Sequence, residues 1–264
     1  MPDKSDLIDR IEAFLEKEKE LYGSFDASVF ENLPEPTRTE PANTDQESEM
    51  EKSRGSTPSH AELSSSENEH TQKADLSTIS TLDELKKVCA AADELKTDLE
   101  DTNLVFGVGN PDADLMLIGE APGMNEDKEG EPFVGRAGQL LNKILEAIHF
   151  KREDVYIANI LKHRPPQNRD PLPEERQRSL PYLYRQIEII NPKIILCLGR
   201  ISAQTLLDTN KPMKALRGSF HPFMDNRELM VTFHPAALLR NPAWKRDTWE
   251  DVQKLRARYD EVTG

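Results

Sequence analysis

The amino-acid sequence predicts an α/β protein, a three-layer α/β/α domain around a central, mainly parallel, four-stranded sheet. Three observations carry that expectation. Four short apolar runs, at 115–118, 155–158, 194–198 and 229–232, read as buried strands. Helical patterns at about 136–148, 173–190, 200–208 and 243–262 alternate with them. Such alternation builds right-handed βαβ units with helices on both faces of a parallel sheet. The first strand run stops at Gly119 and feeds a long loop, 119–138, rich in glycine and carboxylates. Open α/β sheets hold their ligands outside the carboxyl ends of the strands, where this loop falls.

The elements follow in chain order. Leu7, Ile8, Ile11, Phe14, Leu15 and Leu21 recur at helical spacing, so residues 1–24 are expected to form an amphipathic helix, either a docking element for a partner or a loosely attached cap. Residues 33–78 are rich in Glu, Ser, Thr, Pro and Asn and nearly lack large apolar side chains. A segment of that composition buries too little apolar area to offset its ordering entropy, and 25–80 is expected to be an acidic, disordered linker. Order is expected to resume at Thr81, which with Glu84 three residues on makes a capping-box pattern, and to continue as a helix to about residue 98. Residues 81–264 are then expected to form one domain, with no internal repeat.

Charge is unevenly spread. Residues 1–82 hold 8 Lys and Arg against 19 Asp and Glu, so most of the overall net charge of −14 belongs to that third. The acidic balance argues against nucleic-acid binding for the whole chain, but not for the nearly neutral remainder, where arginines cluster. The two cysteines, Cys89 and Cys197, are far apart and offer neither a disulfide framework nor a zinc spacing. Cys197 lies in an apolar run and is expected to be a buried thiol. No apolar stretch approaches the ~20 residues of a membrane span, and no basic segment followed by an apolar one opens the chain. The expected compartment is the cytosol, with no membrane partner.

Polar groups gather where strands end. The first strand runs into Glu120, the second into Asn159 and then Lys162, His163 and Arg164, and the last into His234. In a parallel sheet these ends converge, so Glu120, Asn159 and His234 can share a pocket although distant in sequence. Each also has a plainer reading: Asn after a strand caps the next helix, His before Pro is a loop residue, and a Gly-bounded loop is a turn.

These residues resemble the uracil-DNA glycosylase superfamily, in particular its family 4. The likeness rests on three motifs in order. The first is Gly119-Glu120-Ala121-Pro122-Gly123 with Glu126 and Asp127, then Pro132-Phe133-Val134-Gly135 to Gly138; the second is Tyr156 to Asn159; the third is His234-Pro235-Ala236-Ala237-Leu238-Leu239-Arg240. It covers roughly residues 85–260 and implies an enzyme that flips uracil out of DNA and hydrolyses its N-glycosidic bond. By resemblance, Phe133 stacks on the flipped ring and Asn159 accepts from uracil N3–H and donates to O4, a pairing that cytosine inverts. Glu126 stands near C5, where thymine carries its methyl, and His234 donates to the developing anion at O2, with backbone N–H groups around Ala121 assisting. Glu120 orients water or offsets the oxocarbenium charge. Ala121 stands where some relatives carry an Asp, which leaves Glu126 and Asp127 as reserve carboxylates. Leu238 and Leu239 resemble a wedge entering the base stack, with Arg240 at the backbone; Arg164, Arg169, Lys245 and Arg246 are candidates for phosphates.

Family 4 enzymes generally carry a 4Fe–4S cluster on four cysteines. The corresponding positions here read Cys89, Ala92, His163 and Ser179. A cluster needs about four thiolates, with occasional His replacement, so none is expected and no metal or other cofactor is assigned. The expected partner is uracil-containing DNA, single- or double-stranded, with a protein partner for the acidic N-terminal segment and a monomeric enzyme. Two alternatives stand beside excision of uracil: a DNA-binding relative without catalysis, and a glycosylase for another deaminated base.

Overall fold

The computed structural model describes residues 75–264. The expected helix at 1–24 and nearly all of the expected linker at 25–80 lie outside the described residues. Asp75 accepts from the Ser77 N–H to cap a 3₁₀ turn at Leu76–Thr78, and Ile79 is buried with its carbonyl held by Arg185 Nε at 2.7 Å. Folded chain is therefore present a few residues ahead of 81. Helix α1, Leu82–Ala91, has the capping box of Thr81 and Glu84. It stops well before 98, because Ala92 turns to extended backbone and a 3₁₀ turn at Asp93–Leu95 follows. No Gly or Pro announces that break.

The strands are β1 (Val108–Gly109), β2 (Leu115–Gly119), β3 (Tyr156–Asn159), β4 (Ile194–Leu198), β5 (Phe220–Phe223) and β6 (Arg227–Thr232), in spatial order β1-β3-β2-β4-β6-β5. The four expected strands are β2, β3, β4 and β6, and they pair in parallel. The sheet has six strands rather than four, since β1 and β5 add antiparallel edges. Both escaped the sequence pattern for a physical reason. β1 is only two residues long, and β5 reads Phe-His-Pro-Phe, whose Pro222 is tolerated only where one side of the strand needs no donor.

Further helices are α2 (Met124–Glu129), α3 (Arg136–Ala147), α4 (Pro173–Ile190), α5 (Arg200–Leu206), α6 (Met213–Leu216), α7 (Pro235–Arg240) and α8 (Trp244–Thr263). The parallel strands are buried on both faces, which is why they appear as continuous apolar runs rather than alternating ones. Alternation instead sorts their side chains between layers. Met116 and Ile118 join Ile195 and Cys197 against Leu183 and Ile187 of α4 and Ala203 of α5. Leu115 and Leu117 join Ile194 and Leu196 against Leu141 and Leu145 of α3 and Val252 and Leu255 of α8. Each such fully buried side chain contributes about 1.5–3 kcal/mol by leaving water. A third cluster, centred on Leu85, Leu95, Phe106 and Tyr182, packs α1 on α4. Among the described residues no helix is long and apolar enough to cross a membrane.

Candidate active site

Register brings the functional side chains level. Gly119, the last residue of β2, pairs with Asn159, the last of β3. Leu198 ends β4 opposite Thr232, which ends β6, and Gly199 N–H continues the ladder to the Thr232 carbonyl at 2.9 Å. The loops leaving these ends enclose a cavity of about 1080 Å³ that is lined by Glu120, Ala121, Glu126, Phe133, Asn159, His234 and Arg240, among others. Arg164, Leu238 and Leu239 are not in its lining.

Two glycines permit this closeness. A Cβ on Gly119 would fall 2.3 Å from Asn159 Oδ1 and 2.6 Å from Phe133 Cζ. Gly199 has φ +101°, a region L side chains avoid, and a Cβ there would fall 2.9 Å from His234 Cβ. Any side chain at either position would push the amide, the ring or the imidazole out of place.

Asn159 is 2% exposed, and its Oδ1 is buried without a hydrogen-bond partner. An orphaned buried acceptor costs about 1–3 kcal/mol and calls for an explanation. Its backbone is held firmly instead. Lys162, fully buried, donates to the Asn159 carbonyl at 3.1 Å, the Phe106 carbonyl at 3.2 Å and Gln186 Oε1 at 2.7 Å. Gln186 Nε2 then donates to the Tyr156 hydroxyl at 3.0 Å. Burial brings the Lys162 ammonium down to about 8. Sequence reasoning named Lys162 only as one of the polar groups at a strand end and passed over Gln186. The available signal was a lysine three positions past a buried strand and directly after two apolar residues.

Phe133, 6% exposed, has φ 55°, unusual for a bulky residue and a cost of order 1–3 kcal/mol. Its ring lies 5.4 Å from that of His234, tilted by 32°. Glu126 secures the strained loop: Oε1 accepts from Val134 and Gly135 N–H, each at 3.0 Å, and Oε2 from Gly123 N–H at 3.2 Å. Both oxygens of Glu126 are thereby committed to backbone.

His234 is half-buried, and its Nδ1 accepts from the Ala236 N–H at 3.1 Å. In the neutral ring the proton then sits on Nε2. Burial, and next the Arg240 charge, hold the imidazole down to about 4, with Glu126 opposing, so the ring is neutral at pH 7 and donates through Nε2. Glu120 moves the other way. Burial first, then the Asp170 carboxylate, raise it to about 7 against the pull of Arg200, Arg176 and Arg240.

A neutral imidazole, an amide oxygen without a partner, a ring tilted against the imidazole and a raised carboxyl stand on one sheet edge, each in one of the three motifs. The profile described as Uracil DNA glycosylase superfamily covers residues 106–253. The chain belongs to that superfamily. Among its relatives, the type-4 uracil-DNA glycosylase of Archaeoglobus fulgidus is 42% identical over 174 residues, 63% of this chain and 86% of the relative. That of Thermotoga maritima is 43% identical over 162 residues, 60% of this chain and 84% of the relative. That of Saccharolobus solfataricus is 46% identical over 162 residues, 58% of this chain and 75% of the relative.

The four positions that the resemblance to family 4 assigns to a cluster are occupied otherwise. Cys89 is buried, with its thiol pushed up to about 11 by desolvation, and Ala92 carries no donor atom. His163 Nδ1 lies 3.0 Å from Thr102 Oγ1, and Ser179 Oγ donates to the Ile160 carbonyl at 2.6 Å. Among the described residues no group of three or more His, Cys, Asp or Glu is arranged to hold a metal ion. This donor set does not fit a four-thiolate cluster. Cys197 is buried in β4, as its apolar run suggests.

The residues expected to face DNA divide. Leu238 and Leu239 do not form one exposed pair. α7 packs against α3, and successive helical residues point about 100° apart. Leu238 is therefore 1% exposed and belongs to the core, whereas Leu239 is 38% exposed. Arg240 is exposed on the cavity rim. Arg169 is tied to Glu175 through both terminal nitrogens, at 2.8 and 2.7 Å, and Arg164 Nε donates to Asn168 Oδ1 at 2.7 Å.

Proposed function

We propose that this member of the superfamily is a DNA glycosylase that hydrolyses the N-glycosidic bond of a deaminated base, uracil foremost. The observation that carries the reading is the buried, unpartnered Oδ1 of Asn159 beside the Phe133 ring. A uracil N3–H would satisfy that oxygen, and its O4 would take the amide N–H. Phe133 stacks on the base. As the glycosidic bond breaks, negative charge develops at O2, and the neutral His234 meets it through Nε2–H, a donor already oriented before reaction. Backbone N–H groups near Ala121 add to that field. Glu120 in its ionised form orients water toward the sugar carbon or offsets the oxocarbenium charge. Glu126 acts at C5 through the loop wall it fixes, since its own oxygens are engaged. Arg240 and Leu239 meet the DNA.

One observation favours a wider base range. Hypoxanthine, through N1–H and O6, and thymine, through N3–H and O4, offer the buried Asn159 Oδ1 the same donor and the amide N–H the same acceptor as uracil does. A DNA-binding relative without excision draws support from the altered cluster positions. Incubation with oligonucleotides carrying uracil, hypoxanthine or mismatched thymine separates the three. Release of free uracil that is abolished in Asn159→Ala supports the proposal, release of hypoxanthine at a comparable rate widens it, and DNA binding with no release of any base overturns it.

A further inference from the structure

The cavity is larger than one base needs. A flipped nucleotide fills a snug pocket, and sites for drug-sized ligands span about 300–1,000 Å³, whereas this cavity measures about 1080 Å³. Asn159, Phe133 and His234 account for one part of its wall. Another part is built by Phe233, Trp244, Arg217 and Lys214. The Phe233 and Trp244 rings are stacked, with centroids 4.7 Å apart and planes within 13°. The Arg217 guanidinium lies 5.5 Å from the Phe233 centroid. This wall is rigidly anchored. Arg217 Nη2 donates to the buried Asp251 at 2.8 Å, and Asp251 accepts from Thr232, the last residue of β6, at 2.8 Å. Thr232 immediately precedes Phe233 and His234, so the strand end that delivers the imidazole to one part of the cavity delivers the aromatic stack to the other.

Trp244 nevertheless remains 38% exposed, one of few large apolar side chains open to solvent among the described residues. Of the cationic side chains that line the space, Lys214, Arg200 and Arg240 are exposed, and Arg200 is paired with Asp170 at 2.8 Å. Asp247 also lines it but is offset by Arg217, 3.7 Å away. Stacked aromatic surface beside exposed cations is the chemistry that holds unpaired nucleotides, with bases on rings and phosphates near the charges.

We infer that the Phe233–Trp244–Arg217 wall is a second nucleotide site, which stacks an unpaired base of the same strand next to the flipped one, with Lys214 toward its phosphate. The inference extends the proposed glycosylase function but does not require excision. A base must expose its face to stack there, so the site favours single-stranded over duplex DNA.

The test uses the full chain carrying Trp249→Phe, which leaves Trp244 as its only tryptophan. Titration with a uracil-free single-stranded oligonucleotide should quench Trp244 fluorescence saturably, and a duplex of the same sequence should do so more weakly. In fluorescence anisotropy with the single strand, Trp244→Ala should bind about 5- to 100-fold more weakly, the range expected for loss of one base stack, and Trp244→Phe should restore most of the affinity. If Trp244→Ala fails to fold, the quenching titration decides alone. Absence of binding, binding without quenching, or equal quenching by duplex overturns the inference. A chain that releases uracil without quenching removes this site and leaves the glycosylase reading intact; quenching without base release does the reverse.

Discussion

Two corners of the domain are built from similar materials and held in opposite ways. At the carboxyl edge of the sheet, Asn159 keeps a buried oxygen without a partner, Phe133 sits at positive φ, and Glu120 and His234 are driven far from their ordinary protonation ranges. At the four positions that the resemblance to family 4 assigns to a cluster, the side chains are settled. Ser179 is bonded to Ile160, His163 meets Thr102, and Cys89 and Ala92 lie in apolar packing with Leu85 and Leu95. Orphaned groups and strain are tolerated where a ligand completes them. The contrast supports the sheet edge as the proposed substrate site and the second corner as scaffold.

The largest expected effect that probes this contrast is at His234. Alanine there should slow single-turnover release of uracil by about 10²–10³, the usual loss for one donor at developing charge. A change below tenfold would remove His234 from the reaction. Glu120 comes next, through pH. Its raised carboxyl is neutral below about 7 and ionised above. If the ionised form is the active one, the excision rate should fall as pH drops below 7, and Glu120→Gln should be slow with that acid limb abolished. His234, neutral above about 4, adds no limb in the same range. An acid limb that persists in Glu120→Gln would assign it to another group.

Lys162→Met should be the strongest effect on stability. It strips a donor from the Phe106 and Asn159 carbonyls and from Gln186, and each buried group left unsatisfied costs about 1–3 kcal/mol. Thermal unfolding should shift downward by about 2–4 °C for each kcal/mol lost. Because the Asn159 backbone loosens, discrimination against cytosine should fall as well; an unchanged melting temperature would mean the network is dispensable. Ser179→Ala sits at the small end of the scale. It should cost about 1 kcal/mol through the Ile160 carbonyl and leave the excision rate unchanged, whereas a large rate loss would make the second corner functional after all. Deletion of residues 1–74 should tighten non-specific DNA binding at low salt by removing acidic charge, an effect that salt screens away.

Much of this was legible in the sequence because parallel strands buried on both faces announce themselves as apolar runs. β4 agrees with its run to the residue, and β2, β3 and β6 agree within two. The edges were not legible: β1 is too short to show a pattern, and Pro222 disguises β5. Convergence of Glu120, Asn159 and His234 followed from topology, and register realises it by pairing Gly119 with Asn159. What sequence could not reveal were contacts between distant segments. The burial of Leu238 beside an exposed Leu239 depends on how α7 meets α3, and the Lys162–Gln186–Tyr156 network joins a strand, a loop and a helix. The commitment of Glu126 to three backbone N–H groups likewise exists only once the loop has closed.

The most direct test is single-turnover excision of uracil from a single-stranded oligonucleotide by protein dialysed against an iron chelator and verified free of iron. An edge that works without a cluster predicts rapid release of free uracil at a rate unchanged by the chelator. Failure to release uracil, or a rate that returns only when iron and sulfide are restored, would contradict it.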